Sequence, residues 1–201
     1  MLDLVIPDSG PLITFGLLDR LDLLDRFNCA IVVTDMVAAE VLRGPDTAID
    51  KPVFQRWFAA RGNRVQTVET TYGAMWNALA PEDRKRIKRL HPDAGELAIR
   101  EFTDKLKHTI PPQDQVLVLF EEDAVKTMTF GPHVHLIHTF AFMVSLENLG
   151  VIPSAEDLYS EVLAKGRNLA RDTFERRVVA PDGAVADRQT DYEAGTDDAG
   201  R

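Results

Sequence analysis

Apolar positions along the chain come as short dense runs, separated by stretches in which they recur at helical spacing. Leu4, Val5 and Ile6 are too few for a buried helix and suit a buried strand, with Pro7 marking its end. Asp8, Ser9 or Gly10 can cap the next helix, and Pro11 fits its first turn. Leu12, Ile13, Leu17, Leu18, Leu21, Leu24 and Phe27 then trace one apolar helix face, with a break expected near Arg20. Ala30 to Val33 predicts a second strand, and Met36 to Leu42 a helix stopped by Gly44 and Pro45. Val53, Phe54, Trp57 and Phe58 suggest another helix, and residues 64–68 a short alternating strand. A helix opens near Asp93, and Pro111-Pro112 breaks the segment. Val116 to Phe120 is the clearest strand, followed by a helix from Ala124, a strand over 134–138 and a helix over 139–149. Ser154, with Asp157 three residues on, starts a last helix reaching about Asn168.

Strands alternating with helices imply parallel pairing, so the expected fold class is α/β: a three-layer α/β/α domain with a central, mainly parallel sheet. The domain is expected over residues 1–165, with 45–92 an extended helical insertion or clip region. Residues 166–180, which carry Arg167, Arg171, Arg176 and Arg177, read as a basic C-terminal helix extension. Residues 181–201 are polar, acidic and without periodicity, as in a disordered tail.

The 201 residues carry a net charge of −9, with a pI near 5.0. That balance excludes a protein gripping nucleic acid over its whole surface, although local basic patches can still meet phosphates. Arg84, Lys85, Arg86, Lys88 and Arg89 form one such patch. A solvated helix face is its ordinary reading, and a landing strip for a phosphate backbone the functional one. The single cysteine, Cys29, excludes an intramolecular disulfide. No apolar run has the length of a membrane span and no signal peptide is visible, so a cytoplasmic protein is expected.

The chemistry suggested by the pattern lies in acids at strand ends. Asp8 follows the first strand, and Glu121-Glu122-Asp123 follow the clearest one. In open α/β sheets, ligands bind at the carboxyl ends of the strands. Asp8 could be only an N-cap, Glu96 only a first-turn acid favoured by the helix dipole, and Glu40 only a surface acid. If several converge, they cannot all ionise without a cation. Oxygen-only ligands point to Mg²⁺ or Mn²⁺, and such a site suits phosphodiester hydrolysis. Composition and spacing do not choose between a nuclease and a phosphatase.

The order of these motifs resembles the PIN-domain family, in particular its small prokaryotic toxin-like (VapC-like) ribonuclease branch. Asp8-Ser-Gly-Pro-Leu-Ile is similar to the opening motif, and Ile31 to Leu42 to the second strand and the helix carrying the second acid. Gly95-Glu96 with Ala98-Ile99 resembles the third motif, Val116 to Lys126 the fourth, and Val134 to Met143 with Leu149 to Ile152 the last strand and helix. The resemblance spans about residues 3 to 165. It implies a Mg²⁺- or Mn²⁺-dependent endoribonuclease, often the toxin of a toxin–antitoxin pair. RNA would be its substrate, an antitoxin protein its partner, and a homodimer its assembly. Asp8, Glu40, Glu96 and Glu121 would be catalytic acids and metal ligands, with Glu122 a further ligand on the same edge. Ser9, Thr139 and Lys126 would lend polar support. The family usually has Asp where this chain has Glu121-Glu122-Asp123, so the ligand there stays open, and Asp93 competes with Glu96 for the third acid.

Those altered acids motivate an alternative, a PIN-like module that binds RNA or protein without cleaving it. A phosphatase of the haloacid-dehalogenase type is disfavoured, because Asp8-Ser-Gly lacks a second Asp two residues on. His133, His135 and His138 fall close together, and on a strand His133 and His135 would share a face that Zn²⁺ could accept, but no thiol joins them, and strand and helix-cap positions explain them as well.

Overall fold

The computed structural model describes residues 2–42, 51–80, 82–84, 93–111, 113–178 and 185–188. In chain order its elements are β1 (Leu2–Pro7), α1 (Ser9–Leu17), a 3-10 stretch (Leu21–Phe27), β2 (Ala30–Thr34), α2 (Asp35–Leu42), α3 (Lys51–Arg61), β3 (Val65–Val68), α4 (Thr71–Ala78), α5 (Ala94–Leu106), β4 (Gln115–Phe120), α6 (Ala124–Thr127), β5 (Val134–His138), α7 (Thr139–Asn148), α8 (Ala155–Ala164), β6 (Glu175–Val178) and β7 (Val185–Arg188). The strands form one sheet in the order β3-β2-β1-β4-β5-β6-β7. The first five pair in parallel, and β6 and β7 add antiparallel at one edge. Helices flank the sheet, as expected for a three-layer α/β/α fold.

The sheet's centre decides where the acids sit. β1 and β4 run side by side, with Ile6 beside Val118 and Pro7 beside Leu119. Their carboxyl ends therefore emerge together, and Asp8 is held there by its amide, which donates to the Leu119 carbonyl at 2.9 Å. Val5, Ile6, Val118, Leu119 and Phe120 are wholly buried, which is why these strands read as unbroken apolar runs. Phe15 packs edge-on against Phe142 beneath them. The break expected near Arg20 is real: α1 stops at Leu17, Asp19 takes a left-handed backbone (φ +53°), and the 3-10 stretch follows.

Three segments differ from expectation. Residues 51–78 are more than an insertion, because Val65–Val68 pairs with β2 and forms the sheet's outer strand. The last main helix ends at Ala164, and residues 166–178 are not a basic helix extension. After Gly166 the chain forms no regular element until β6, which pairs with β5. The physical reason is the left-handed Gly166 (φ +83°), which stops the helix. Within the segment expected to be disordered, Val185–Arg188 pairs with β6, while residues 181–184 and 189–201 lie outside the described residues. Among the described residues no helix is long and apolar enough to cross a membrane.

Candidate functional site: an acid-lined sheet edge

Asp8 occupies the N-cap position of α1, but its side chain makes no capping hydrogen bond. Capping alone therefore does not account for it. The residue is only 2% exposed, and its Oδ1 is buried with no hydrogen-bond partner among the described residues. Burial pushes the Asp8 carboxyl well above the usual carboxylate range. Glu96, Glu40 and Glu121 push it further, against a partial pull from the Ser9 amide. A carboxylate so placed is costly unless something positive reaches it.

The other acids arrive on two helices. α2 and α5 meet through Met36 and Ala98, which pack together with Trp76. Glu40 lies one turn beyond Met36, and Glu96 lies in the first turn of α5. At Gly95 no side chain intrudes near Asp8 and Glu40. A Cβ there would lie 3.4 Å from Asp8 Oδ1, 3.6 Å from Glu40 Oε2 and 3.7 Å from Val37. Gly95 thus leaves open a small gap that both acids face. Glu96 is 7% exposed. Burial raises its carboxyl, as do Asp93, Glu40 and Glu122, with a partial opposing pull from its own amide. Asp93 itself is exposed at the N-cap of α5 and makes no side-chain cap bond.

Glu121 has a different environment. Its Oε1 accepts from Thr14 Oγ1 at 2.6 Å, and its Oε2 accepts from Arg167 Nη2 at 2.6 Å. Both oxygens are committed within the chain, so Glu121 contrasts with Asp8. Glu122 and Asp123 are exposed, and Asp123 pairs with Lys126 at 2.8 Å. Lys126 also binds Asp172 and lies 5.4 Å from the Phe174 ring centroid. It is thus paired with Asp123 and Asp172 and not, among the described residues, with Asp8, Glu40 or Glu96. Thr139 donates to the Phe120 carbonyl at 3.4 Å, so it steadies the end of β4. Ser9 contributes its amide to Asp8.

The remaining expectations resolve locally. Arg84 donates to the carbonyls of Trp76 and Asn77 and so closes the end of α4. Lys85, Arg86, Lys88 and Arg89 lie outside the described residues. His138 Nδ1 accepts from the Phe140 amide at 3.1 Å and caps α7. His135 Nε2 sits 2.7 Å from Gln115 Oε1. Among the described residues no group of three His, Cys, Asp or Glu side chains that could hold a metal ion includes these histidines.

Sequence reasoning missed Arg167 and Thr14 as members of this edge. Thr14 left one trace, a polar residue at a fully buried turn of an otherwise apolar helix. For Arg167 the trace was Gly166, a helix-stopping residue directly before a basic one.

The arrangement fits a small divalent cation by three observations: an all-oxygen donor set, an orphaned buried carboxylate oxygen, and a cleft that a single Cβ would fill. Among the described residues, however, no three His, Cys, Asp or Glu side chains are grouped so that they could hold a metal ion. Comparison of the chain with family models, with curated proteins and with solved structures returns no match.

Proposed function

We propose that the protein is a Mg²⁺- or Mn²⁺-dependent endoribonuclease built on a PIN-like domain, with Asp8, Glu40 and Glu96 as its metal-holding acids. One observation carries this reading: the buried, unpartnered Asp8 Oδ1 beside Glu40 across the Gly95 gap. When bound, the cation would polarise a phosphoryl oxygen and lower the pKa of the attacking water. The chain's own groups do the rest. Asp8 is fixed by its amide at the junction of β1 and β4. Glu40 and Glu96 are set by the α2–α5 packing, and Gly95 keeps room for a phosphate to approach. Glu121 stands at the border of the site, holding Arg167.

By the same resemblance the protein is a cytoplasmic toxin restrained by an antitoxin, and assembles as a homodimer. One observation favours a second reading, in which the domain binds RNA or protein without cutting: Glu121 is already neutralised by Arg167. Incubation of the purified protein with labelled RNA and Mn²⁺ separates the two. Cleavage that is abolished by Asp8→Asn and Glu40→Gln supports the nuclease. RNA binding without cleavage supports the second reading.

A further inference from the structure

Arg167 lies just past α8, outside the segment in which the motifs occur, yet it is seated among them. Its backbone is fixed by a helix stop: the Gly166 amide donates to Leu163 O at 2.9 Å and the Arg167 amide to Val162 O at 3.3 Å. With Gly166 left-handed, this is the paired bonding of a Schellman turn. The guanidinium then meets three acceptors. Nε donates to Thr14 Oγ1 at 2.7 Å, and Nη2 donates to Gly10 O at 3.1 Å and to Glu121 Oε2 at 2.6 Å. Nη1 is hydrogen-bonded to no protein atom among the described residues. A side chain held at two nitrogens, with its third uncommitted, has lost most of its rotamer freedom before any ligand arrives.

Arg167 also lines a cavity of about 600 Å³ bounded by Glu121, Glu122, Lys165, Asn168 and Leu17. This cavity borders the acid edge at Glu121. An RNA strand led to that edge would bring phosphates toward Asp8, Glu40 and Glu96, in a chain whose net charge is −9. The strand then needs a fixed cation beside the cut point. We propose that Arg167 is a substrate-binding residue that holds, through Nη1, an RNA phosphate adjoining the one attacked, with Lys165 on the rim of the same cleft. The proposal rests on the nuclease reading and deepens it. It gives Glu121 and Thr14 a definite task, to hold the arginine rather than the metal. Guanidinium suits the task because its planar N–H groups match phosphate oxygens, which an ammonium matches less well.

The test measures cleavage of a short labelled RNA in Mn²⁺ by the full chain and by Arg167→Lys and Arg167→Ala. Alongside it, Mn²⁺ affinity is measured without RNA, and RNA affinity in an Asp8→Asn background. Arg167→Ala is expected to raise KM and weaken RNA binding by about tenfold or more, leaving Mn²⁺ affinity unchanged, with Arg167→Lys recovering part of the loss. Should Arg167→Ala not fold, Arg167→Gln, which keeps a donor to Glu121, is expected to show the same KM rise. An unchanged KM in variants of a wild type that cuts RNA overturns the proposal alone. So does tighter Mn²⁺ binding, which would make Arg167 a competitor for Glu121. A wild type that neither cuts nor binds RNA overturns the nuclease reading and this proposal together.

Discussion

Two groups of acids stand near the carboxyl end of the sheet, and the chain treats them in opposite ways. Asp172 is paired with Lys126 and also accepts from the Phe174 amide. Burial alone would raise its carboxyl, but those bonds outweigh it and hold Asp172 below the usual range. Lys126 is raised in turn, its two carboxylates outweighing its burial. At the other group, Asp8 is raised by burial and by the charges of Glu96, Glu40 and Glu121, Glu96 by burial and by Asp93, Glu40 and Glu122, and Asp8 Oδ1 has no hydrogen-bond partner among the described residues. The first group is a closed account within the polypeptide and serves stability. The second leaves the buried Asp8 Oδ1 open among the described residues, where protons at low pH or a cation at neutral pH would stabilise it. Glu121 lies between them, bonded to Arg167 like the first group yet placed beside the second.

The largest expected effect concerns the open group. Asp8→Asn or Glu40→Gln should lower RNA cleavage by roughly a hundredfold or more, while the melting temperature of the metal-free Asp8→Asn protein stays the same or rises by a few degrees. A large loss of stability in Asp8→Asn would break the comparison, since it would make Asp8 a structural acid like Asp172. The next effect is a pH-dependent response to metal. Asp8 and Glu96 hold protons more tightly folded than unfolded. Their contribution to stability is therefore full below the ordinary carboxylate range and is lost as pH rises through their raised folded values. Added Mn²⁺ should replace it, raising the melting temperature by several degrees at neutral pH when present at about a hundred times its dissociation constant. The increment should shrink on acidification and nearly vanish in Asp8→Asn. Thermal scans across pH, wild type against variant, measure this directly.

For the closed group the sign reverses. Lys126→Met leaves a mostly buried Asp172 without its cation and should cost on the order of 2 kcal/mol in denaturant melts, the partly exposed lysine keeping the loss below that of a fully buried pair. The smallest effect belongs to Asp123, whose side chain is 87% exposed. Asp123→Ala should move the melting temperature by no more than about a degree, and a larger drop would place it with Asp172.

The parts of this arrangement visible in the sequence are those encoded locally. The runs at Leu4–Ile6 and Val116–Phe120 announce buried strands, and parallel pairing carries Asp8 and the acids after Phe120 to one edge. The Ser154 cap is equally local: its hydroxyl accepts from the Asp157 amide at 3.0 Å. What was not legible depends on contacts between distant positions. Arg167 reaches Glu121 across 46 residues and Thr14 across 153, and no periodicity signals either bond. The same holds for β6. Glu175–Val178 has no alternation to mark it, and becomes a strand because β5 presents an edge and Phe174 anchors the chain against Phe120, ring centroids 5.9 Å apart. Glu121 was assigned from position alone, and position does not reveal that its oxygens are already engaged.

The most direct test of the open-group account is a Mn²⁺ binding isotherm at neutral pH on the purified full chain, beside Asp8→Asn and Glu96→Gln. The account predicts saturable uptake by the wild type, weakened about tenfold or more in each variant. No uptake by the wild type, or equal uptake by all three proteins, would contradict it.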